Sequence, residues 1–513
     1  MTSTHPSAAA SARIHTLFDQ RLASAPQEVF LYAPEREWTF ADLGTLVDAL
    51  AREMQAHGVV EGDRVLIVAE NCPEHVALIL ACSRIGAWSC GVNARMSRGE
   101  IRAFIAKADP RLVYFTAGVS DVAAGHAQDA DAVPSVVAGL SRSPVRTQAL
   151  AEPAPLAQQV AAVIFTSGTT GTPKGVLVSH AGLLQFARVS SQSRALGPQD
   201  RSYAYLPMTH IFGLGTVLMA SLYAGAGLLM RSRFDPADVF EALAHHGLSN
   251  LQGPPAMFTR LLAWLDAQGI EQPAAPQLRY VYTGAAPLDM ALKHAVQRRF
   301  GQPLHHGYGL SEYAGALCLV PRGSQREDTS AGYLVEGAEL RIVDSEGRDL
   351  PAGERGEIWM RGVGLMPGYF RDPEATAQVM QPGGWYASGD LGYQDADGAL
   401  YVVGRLKEMI IRSGFNVYPG EVEAVLNSHP AIQRSAVVGQ RESDGNEAIW
   451  AFYEVRPGTA STPDGLRAAL HAHVAEHLAP YKRPSHFIAM DSLPMTQSGK
   501  VLKRSLLEQA PQP

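Results

Sequence analysis

The sequence predicts a layered α/β protein, with a large α/β N-terminal domain and a small α+β C-terminal domain. Three observations carry this prediction. At roughly 100 to 200 residues per domain, the 513 residues of the chain make two or more compact units. Strand-like and helix-like segments alternate along its first part, the pattern of a largely parallel sheet. After Gly404 the texture changes to a hairpin, a helix and short strands.

Each element has a local reason. Thr39 can cap a helix in which Phe40, Leu43, Val47, Leu50 and Met54 recur at helical spacing, and Gly58 offers its stop. Residues 64–69 read as a strand, and a second helix follows Pro73. The most apolar stretch, residues 76–92, is broken by Ser83, Arg84, Gly86 and Ser89 before it reaches the roughly 20 residues that span a bilayer, so a buried helix is expected and no transmembrane segment. Residues 117–155 show little periodicity and read as surface connections. Residues 161–165 form a short apolar strand and residues 175–178 a second, before a helix capped by Ser179; the Thr/Gly-rich stretch 166–175 joins the two strands.

Beyond Gly404, residues 406–411 and 416–418 suggest a hairpin, and Pro419 opens a helix with Val422, Val425 and Leu426 on one face. Residues 432–439 and 449–455 are strand-like, 466–478 helical, and 496–500 a polar loop before a short basic helix. The domain reading is therefore 1–13 as a disordered Ser/Ala/Thr-rich leader, 14–404 as the N-terminal domain and 405–513 as the C-terminal domain.

Composition excludes several classes of function. Hydrophobic residues make up 46% and charged residues 18%, which rules out bulk disorder, collagen-like and coiled-coil chains. The 43 Lys and Arg against 50 Asp and Glu leave −7, too acidic to advertise a nucleic-acid partner or an anionic membrane. Cys72, Cys82, Cys90 and Cys318 show no CxxC pairing or zinc-site spacing, and are expected as buried thiols in a reducing, cytoplasmic compartment. No signal-peptide core precedes them. A homo-oligomer stays open.

The chemistry concentrates in the loop Thr166-Ser-Gly-Thr-Thr-Gly-Thr-Pro-Lys-Gly175. Hydroxyls, bare backbone amides and one cation are what the oxygens of a triphosphate require. It is not a Walker A loop, because Lys174 follows Pro173 and no Ser or Thr comes next.

This loop resembles the signature of the acyl-adenylate-forming superfamily, which comprises acyl-CoA synthetases, nonribosomal peptide adenylation domains and beetle luciferases. Further motifs follow in the family's order: Tyr308-Gly-Leu-Ser-Glu312, Tyr386-Ala-Ser-Gly-Asp390, Gly404-Arg-Leu-Lys-Glu408, and residues 494–500 ending in Lys500. The resemblance covers essentially the whole chain and implies that the C-terminal domain is mobile, turning about a hinge near Lys407. It also implies MgATP and coenzyme A as co-substrates, with a small-molecule carboxylic acid.

The resemblance implies site roles residue by residue. Thr166, Ser167, Gly168, Thr169, Thr170, Gly171 and Lys174 would cradle phosphate. Gly284, Ala285 and Ala286, with His306, Gly307, Tyr308 and Gly309, would lie along adenine and the adenylate, where small residues permit close approach. Tyr308 can offer an aromatic face, and Ser311 keeps the hydroxyl of the commoner Thr. Glu312 is a hard oxygen ligand for Mg²⁺. Asp390 can accept from both ribose hydroxyls, and Arg405 would reach ribose or phosphate. Lys500 would neutralise charge on the α-phosphate during adenylation. Lys407 would be the hinge, and Ser413, Gly414 and Phe415 would face the site after the hinge turns. His210 would gate the carboxylate pocket, with Phe212, Gly213, Met257, Gly284 and Gly309 along the substrate.

The implied function is an AMP-forming acyl-CoA synthetase. No acid follows the His210 loop to hold an amino acid, and no cation beyond His in residues 284–287 or 305–310 awaits a dicarboxylate, so an apolar acid is favoured, fatty or aromatic. Phe212, Met257, Phe258, Gly213 and Gly215 could line either an aromatic slot or a fatty-chain tunnel. Three alternatives stand beside this reading: an enzyme loading a carrier-protein phosphopantetheine, a luciferase-type oxidase, and a non-catalytic nucleotide-binding regulator.

Overall fold

The structure, a computed structural model, describes residues 12–166, 174–412, 415–441, 447–459, 462–495 and 501–509. The predicted leader therefore lies almost wholly outside the described residues, as do residues 167–173, 413–414 and 496–500.

Among the described residues, the N-terminal part builds two large sheets. One runs in the order Val133–Pro134, Ser141–Arg142, Leu112–Phe115, Arg64–Ala69, Trp88–Asn93, Val160–Thr166, Lys174–Ser179. Its central strands pair in parallel, as the alternation of strand and helix requires. The second, nine-stranded sheet includes the parallel neighbours Arg201–Ala204, Asn250–Gly253, Tyr280–Thr283 and Leu304–Leu310. One apolar core joins Val65 and Ile67 of the first sheet to Leu228 and Leu251 of the second through the helices Phe40–Ala56 and Pro73–Ile85. Buried on both faces, the Arg64–Ala69 strand is apolar at every position after Arg64.

The predicted local signals act where expected. Thr39 caps Phe40–Ala56 in a reciprocal capping box with Asp42, and Gly58 follows it at φ +75°. The Ser179 hydroxyl accepts from the Gly182 amide at the start of His180–Arg194. Two expectations need correction. The apolar stretch 76–92 is not one helix: Pro73–Ile85 ends at Gly86, φ +78°, and the chain re-enters the sheet as Trp88–Asn93. Residues 117–155 are not merely connections, since Ser120 caps a helix at Asp121–Asp129 and two short strands add to the sheet edge.

A third sheet holds Ala338–Val343, Gly356–Gly362, Trp385–Gln394, Met380–Gln381 and Leu400–Arg405. After it come the hairpin of Ile410–Arg412 with Phe415–Val417, the helices Pro419–Ser428 and Pro463–His477, and the sheet of Ile432–Arg441, Glu447–Val455 and His486–Ala489. This last unit has its own core around Ile449, Leu426 and Leu470. All four cysteines are buried thiols. No helix among the described residues is long and apolar enough to cross a membrane.

Candidate active site

Pairing of adjacent strands closes the phosphate-loop candidate at its base. Thr166 stands opposite Lys174, and Phe165 opposite Gly175, in an antiparallel ladder. Ser167, Gly168, Thr169, Thr170 and Gly171 lie outside the described residues. The segment 368–370 runs beside the second strand: Phe370 donates its amide to the Gly175 carbonyl at 2.7 Å, and Leu177 donates to Gly368 at 3.1 Å. Gly175 allows this approach, because a Cβ there would stand 3.1 Å from that of Phe370. The contact sets Tyr369, whose ring lies 4.7 Å from the Lys174 ammonium.

Tyr369 then reaches Glu312. Its hydroxyl donates to Glu312 Oε1 at 3.1 Å and lies 3.4 Å from the Tyr386 hydroxyl. Glu312 sits in a single 3₁₀ turn, Ser311–Tyr313, held from outside by the Met366 amide on its carbonyl at 2.8 Å. Burial raises the Glu312 pKa above the ordinary glutamate value, while the Tyr369 hydrogen bond opposes the shift. One oxygen thus has a fixed donor and the other keeps acceptor capacity. That donor set suits Mg²⁺ shared with substrate phosphates, and no cluster of three or more acidic, His or Cys ligands exists among the described residues.

A second group forms around Asp390. Tyr308 donates its hydroxyl to Asp390 Oδ2 at 2.5 Å, and Arg405 Nε donates to Oδ1 at 3.1 Å. Arg405 stands directly across the ladder from Asp390, so neighbouring strands present the pair together. Gly389 turns at φ +70°, and its amide donates to Glu357 at 2.9 Å. Ser388 Oγ accepts from the Asp390 amide at 3.0 Å, which leaves the carboxylate aimed by three backbone and side-chain anchors. Burial lowers the affinity of Arg405 for its proton, but the charges of Asp390 and Glu408 outweigh it and the pKa rises. Burial and the nearby Asp390 hold the Tyr308 phenol neutral, well above its usual range.

The small-residue positions are places where backbones cross. Ala285 holds φ +68°, a left-handed conformation costly for a residue with a Cβ, in the turn after Tyr280–Thr283. His306 anchors that turn from the next strand through Ala286, and its Nδ1 lies 3.1 Å from the Thr329 carbonyl; burial lowers its pKa and keeps the ring neutral. A Cβ at Gly309 would lie 2.3 Å from the Gly315 carbonyl, at the bulge where Leu304–Leu310 meets Gly315–Leu319. Glycine is required there by the neighbouring strand.

His210 precedes a π-helical segment, Phe212–Met219, and its Nδ1 accepts from the Phe212 amide at 3.2 Å. Phe212 meets Tyr282 edge to face. Gly213 turns away from them: a Cβ would stand 2.2 Å from the Pro207 carbonyl, so this glycine fits the helix against the chain before it. Met257 is buried beside Gly253 and Tyr205. Lys407 is exposed in the turn Leu406–Glu408, its pKa lowered first by desolvation and then by the neighbouring Arg405 charge. Phe415 is 54% exposed and stacks on Tyr481 at 4.6 Å. Ser413, Gly414 and Lys500 lie outside the described residues; Met495 and Val501, on either side of 496–500, pair with each other.

Sequence reasoning missed Tyr369 and Tyr282. Neither belongs to a motif, and only the folded strands bring them beside Glu312 and Phe212. Tyr386 was quoted as the aromatic of its motif, but nothing in the sequence tied it to Tyr369.

The AMP-binding enzyme family matches residues 18–370, and the AMP-binding enzyme C-terminal domain matches residues 421–500. Indoleacetate–CoA ligase of Aromatoleum aromaticum is 32% identical over 94% of this chain and 96% of its own. 2-Succinylbenzoate–CoA ligase of Geobacillus kaustophilus is 33% identical over 95% and 96%. The crystal structure of ATP-bound MatB from Rhodopseudomonas palustris superposes with a TM-score of 0.83 at 26% identity, covering 97% of this chain and 99% of that one. The chain therefore belongs to the AMP-binding enzyme family, in the carboxylate–CoA ligase branch of the acyl-adenylate-forming superfamily.

Proposed function

We propose that the chain activates an apolar carboxylic acid with MgATP to an acyl-adenylate and transfers the acyl group to coenzyme A. The observation that carries this reading is the convergence of Tyr308, Arg405 and Asp390 beside the Lys174, Tyr369 and Glu312 group. Such a site offers a carboxylate for ribose hydroxyls, a cation and a loop for phosphate, and one hard oxygen ligand for the metal. Mg²⁺, when bound, offsets phosphate charge.

The acid's carboxylate oxygen attacks the α-phosphorus, the bond to the β-phosphate oxygen breaks, and pyrophosphate leaves. The coenzyme A thiolate then attacks the acyl carbon, and AMP leaves with the electron pair of the C–O bond. The first step needs positive charge around the α-phosphate, which this reading assigns to Lys174 and Lys500. The second needs a thiol channel, assigned to Ser413, Gly414 and Phe415. Lys407 is the hinge about which the C-terminal domain exchanges the two arrangements. His210 and Phe212 flank the acid, and Asp390 and Arg405 hold the ribose.

Pyrophosphate release with MgATP over aliphatic, aromatic, dicarboxylic and amino acids, with and without coenzyme A, tests the reading. Release with an apolar acid, joined by AMP and thioester formation only when coenzyme A is present, is expected. Release that proceeds to a carrier protein but not to coenzyme A, or robust turnover of malonate or an amino acid, would overturn it.

A further inference from the structure

Tyr282 packs among the residues assigned to the acid. Tyr282, the third residue of the buried strand Tyr280–Thr283, meets Phe212 with their rings perpendicular at 5.9 Å. Its hydroxyl lies in a trough left by two glycines: a Cβ on Gly307 would stand 2.4 Å from that oxygen, and one on Gly284 3.0 Å. The phenol fills this space. Tyr280 lies parallel behind it at 6.2 Å, and His305 stacks on Tyr280 at 4.5 Å.

Near Tyr280 and Tyr282, the fully buried Arg194 guanidinium donates to Gln252 Oε1 at 2.7 Å and to the Thr216 carbonyl at 2.6 Å. A hydrocarbon chain brought against this fixed charge and its polar partners would gain no apolar return. The neighbouring strand is closely covered as well: at Gly253, paired with Thr283, a Cβ would lie 2.3 Å from the Tyr205 hydroxyl and 2.5 Å from the Met257 sulfur.

We propose that Tyr282 is a specificity-determining residue, the stop that limits the acyl slot to compact ring acids and refuses long fatty chains. This rests on the functional reading above and chooses between the aromatic slot and the fatty-chain tunnel that the sequence leaves open. Phe212 supplies the wall, the glycines at 284 and 307 seat the stop, and the aromatic pile behind makes it rigid. Interiors packed this way resist added methylenes, which need neighbours to move.

The test compares kcat/KM for thioester formation with benzoate, phenylacetate, cinnamate and dodecanoate, in the unaltered enzyme and in Tyr282→Phe, Tyr282→Ala and Tyr282→Leu. The unaltered enzyme is expected to favour its best ring acid over dodecanoate by about 100-fold or more. Tyr282→Ala should shrink that ratio at least about tenfold, through a gain with dodecanoate and a raised KM for the ring acid. Tyr282→Phe keeps the ring and should keep the ratio. Tyr282→Leu, less disruptive to the fold, should move the ratio in the same direction as Tyr282→Ala, and it decides the matter if the alanine variant does not fold. Preference of the unaltered enzyme for dodecanoate, or an unchanged ratio in a folded Ala or Leu variant, would overturn the proposal while leaving the ligase intact. Absence of thioester with every acid would instead overturn the functional reading, and this proposal with it.

Discussion

In the proposed function Glu312 carries two opposed demands: it must be charged to bind a cation, yet its surroundings favour the protonated form. Because its pKa in the fold is raised, the stability it contributes is present below the unfolded value and lost as pH climbs through the folded one. Glu312→Gln should therefore hold or raise Tm at neutral pH while abolishing pyrophosphate release; a fall in Tm would show the carboxylate to be a structural partner. Tyr369 pulls in the other direction, donating to the ionised carboxylate. Tyr369→Phe removes that donor, so the acid limb of the pH–rate profile should move to higher pH. An unmoved limb would detach Tyr369 from the reacting charge. Of these two residues, Glu312 was legible from its Tyr-Gly-Leu-Ser-Glu motif, whereas Tyr369 was not, since a tyrosine in a Pro-Gly-Tyr-Phe stretch carries no local signal.

At the scale of elements, the π-helix Phe212–Met219 deserves the closest test, because it carries Phe212 and follows His210. Its first turn packs on the carbonyls of Leu206 and Pro207 through Gly213. Gly213→Ala should cost about 1–3 kcal/mol of stability and displace the His210 loop, read as a lower Tm together with a raised KM for the acid. A variant with unchanged Tm and KM would contradict the observed packing. Caps, stops and period-2 or period-3.6 patterns made most elements legible here: Thr39, Pro73, Ser179 and Pro419 each begin the helix expected of them. Where the apolar signal was continuous, as in residues 76–92, it could not separate helix from strand, since both are buried and equally apolar. Where it was weak, as in residues 117–155, Ser120's cap was overlooked among Ala and Gly.

Across the whole molecule, charged contacts tie the last unit to the rest. Arg355 pairs with Glu421, which also accepts from Lys482 at 2.6 Å, and the Arg355 guanidinium lies 5.4 Å from the Tyr418 ring centroid. Within the last unit, Lys503 joins Glu408 beside the proposed hinge at 3.2 Å and Glu423 at 2.8 Å. Partly exposed pairs of this kind are worth at most about 1 kcal/mol. Arg355→Ala should accordingly shift the ratio of the two half-reaction rates by less than about fivefold. A larger change would mean that this contact holds one arrangement of the domains. Lys500→Ala should abolish adenylation yet largely spare thioester formation from a supplied acyl-adenylate, and equal loss of both would remove Lys500 from its assigned step.

The sequence by itself determined the family, the layered α/β class and the strand pair around residues 166–175, and it singled out Tyr308, Glu312, Asp390 and Arg405 as candidate site residues. These are written in contiguous motifs, because turns, caps and phosphate-type loops are built from neighbours along the chain. Only the tertiary structure decided that Arg405 faces Asp390 across a ladder, that Tyr369 donates to Glu312, and that Tyr282 fills the trough of Gly284 and Gly307. Those relations join residues up to 57 positions apart through strand register and side-chain packing, which no local pattern encodes.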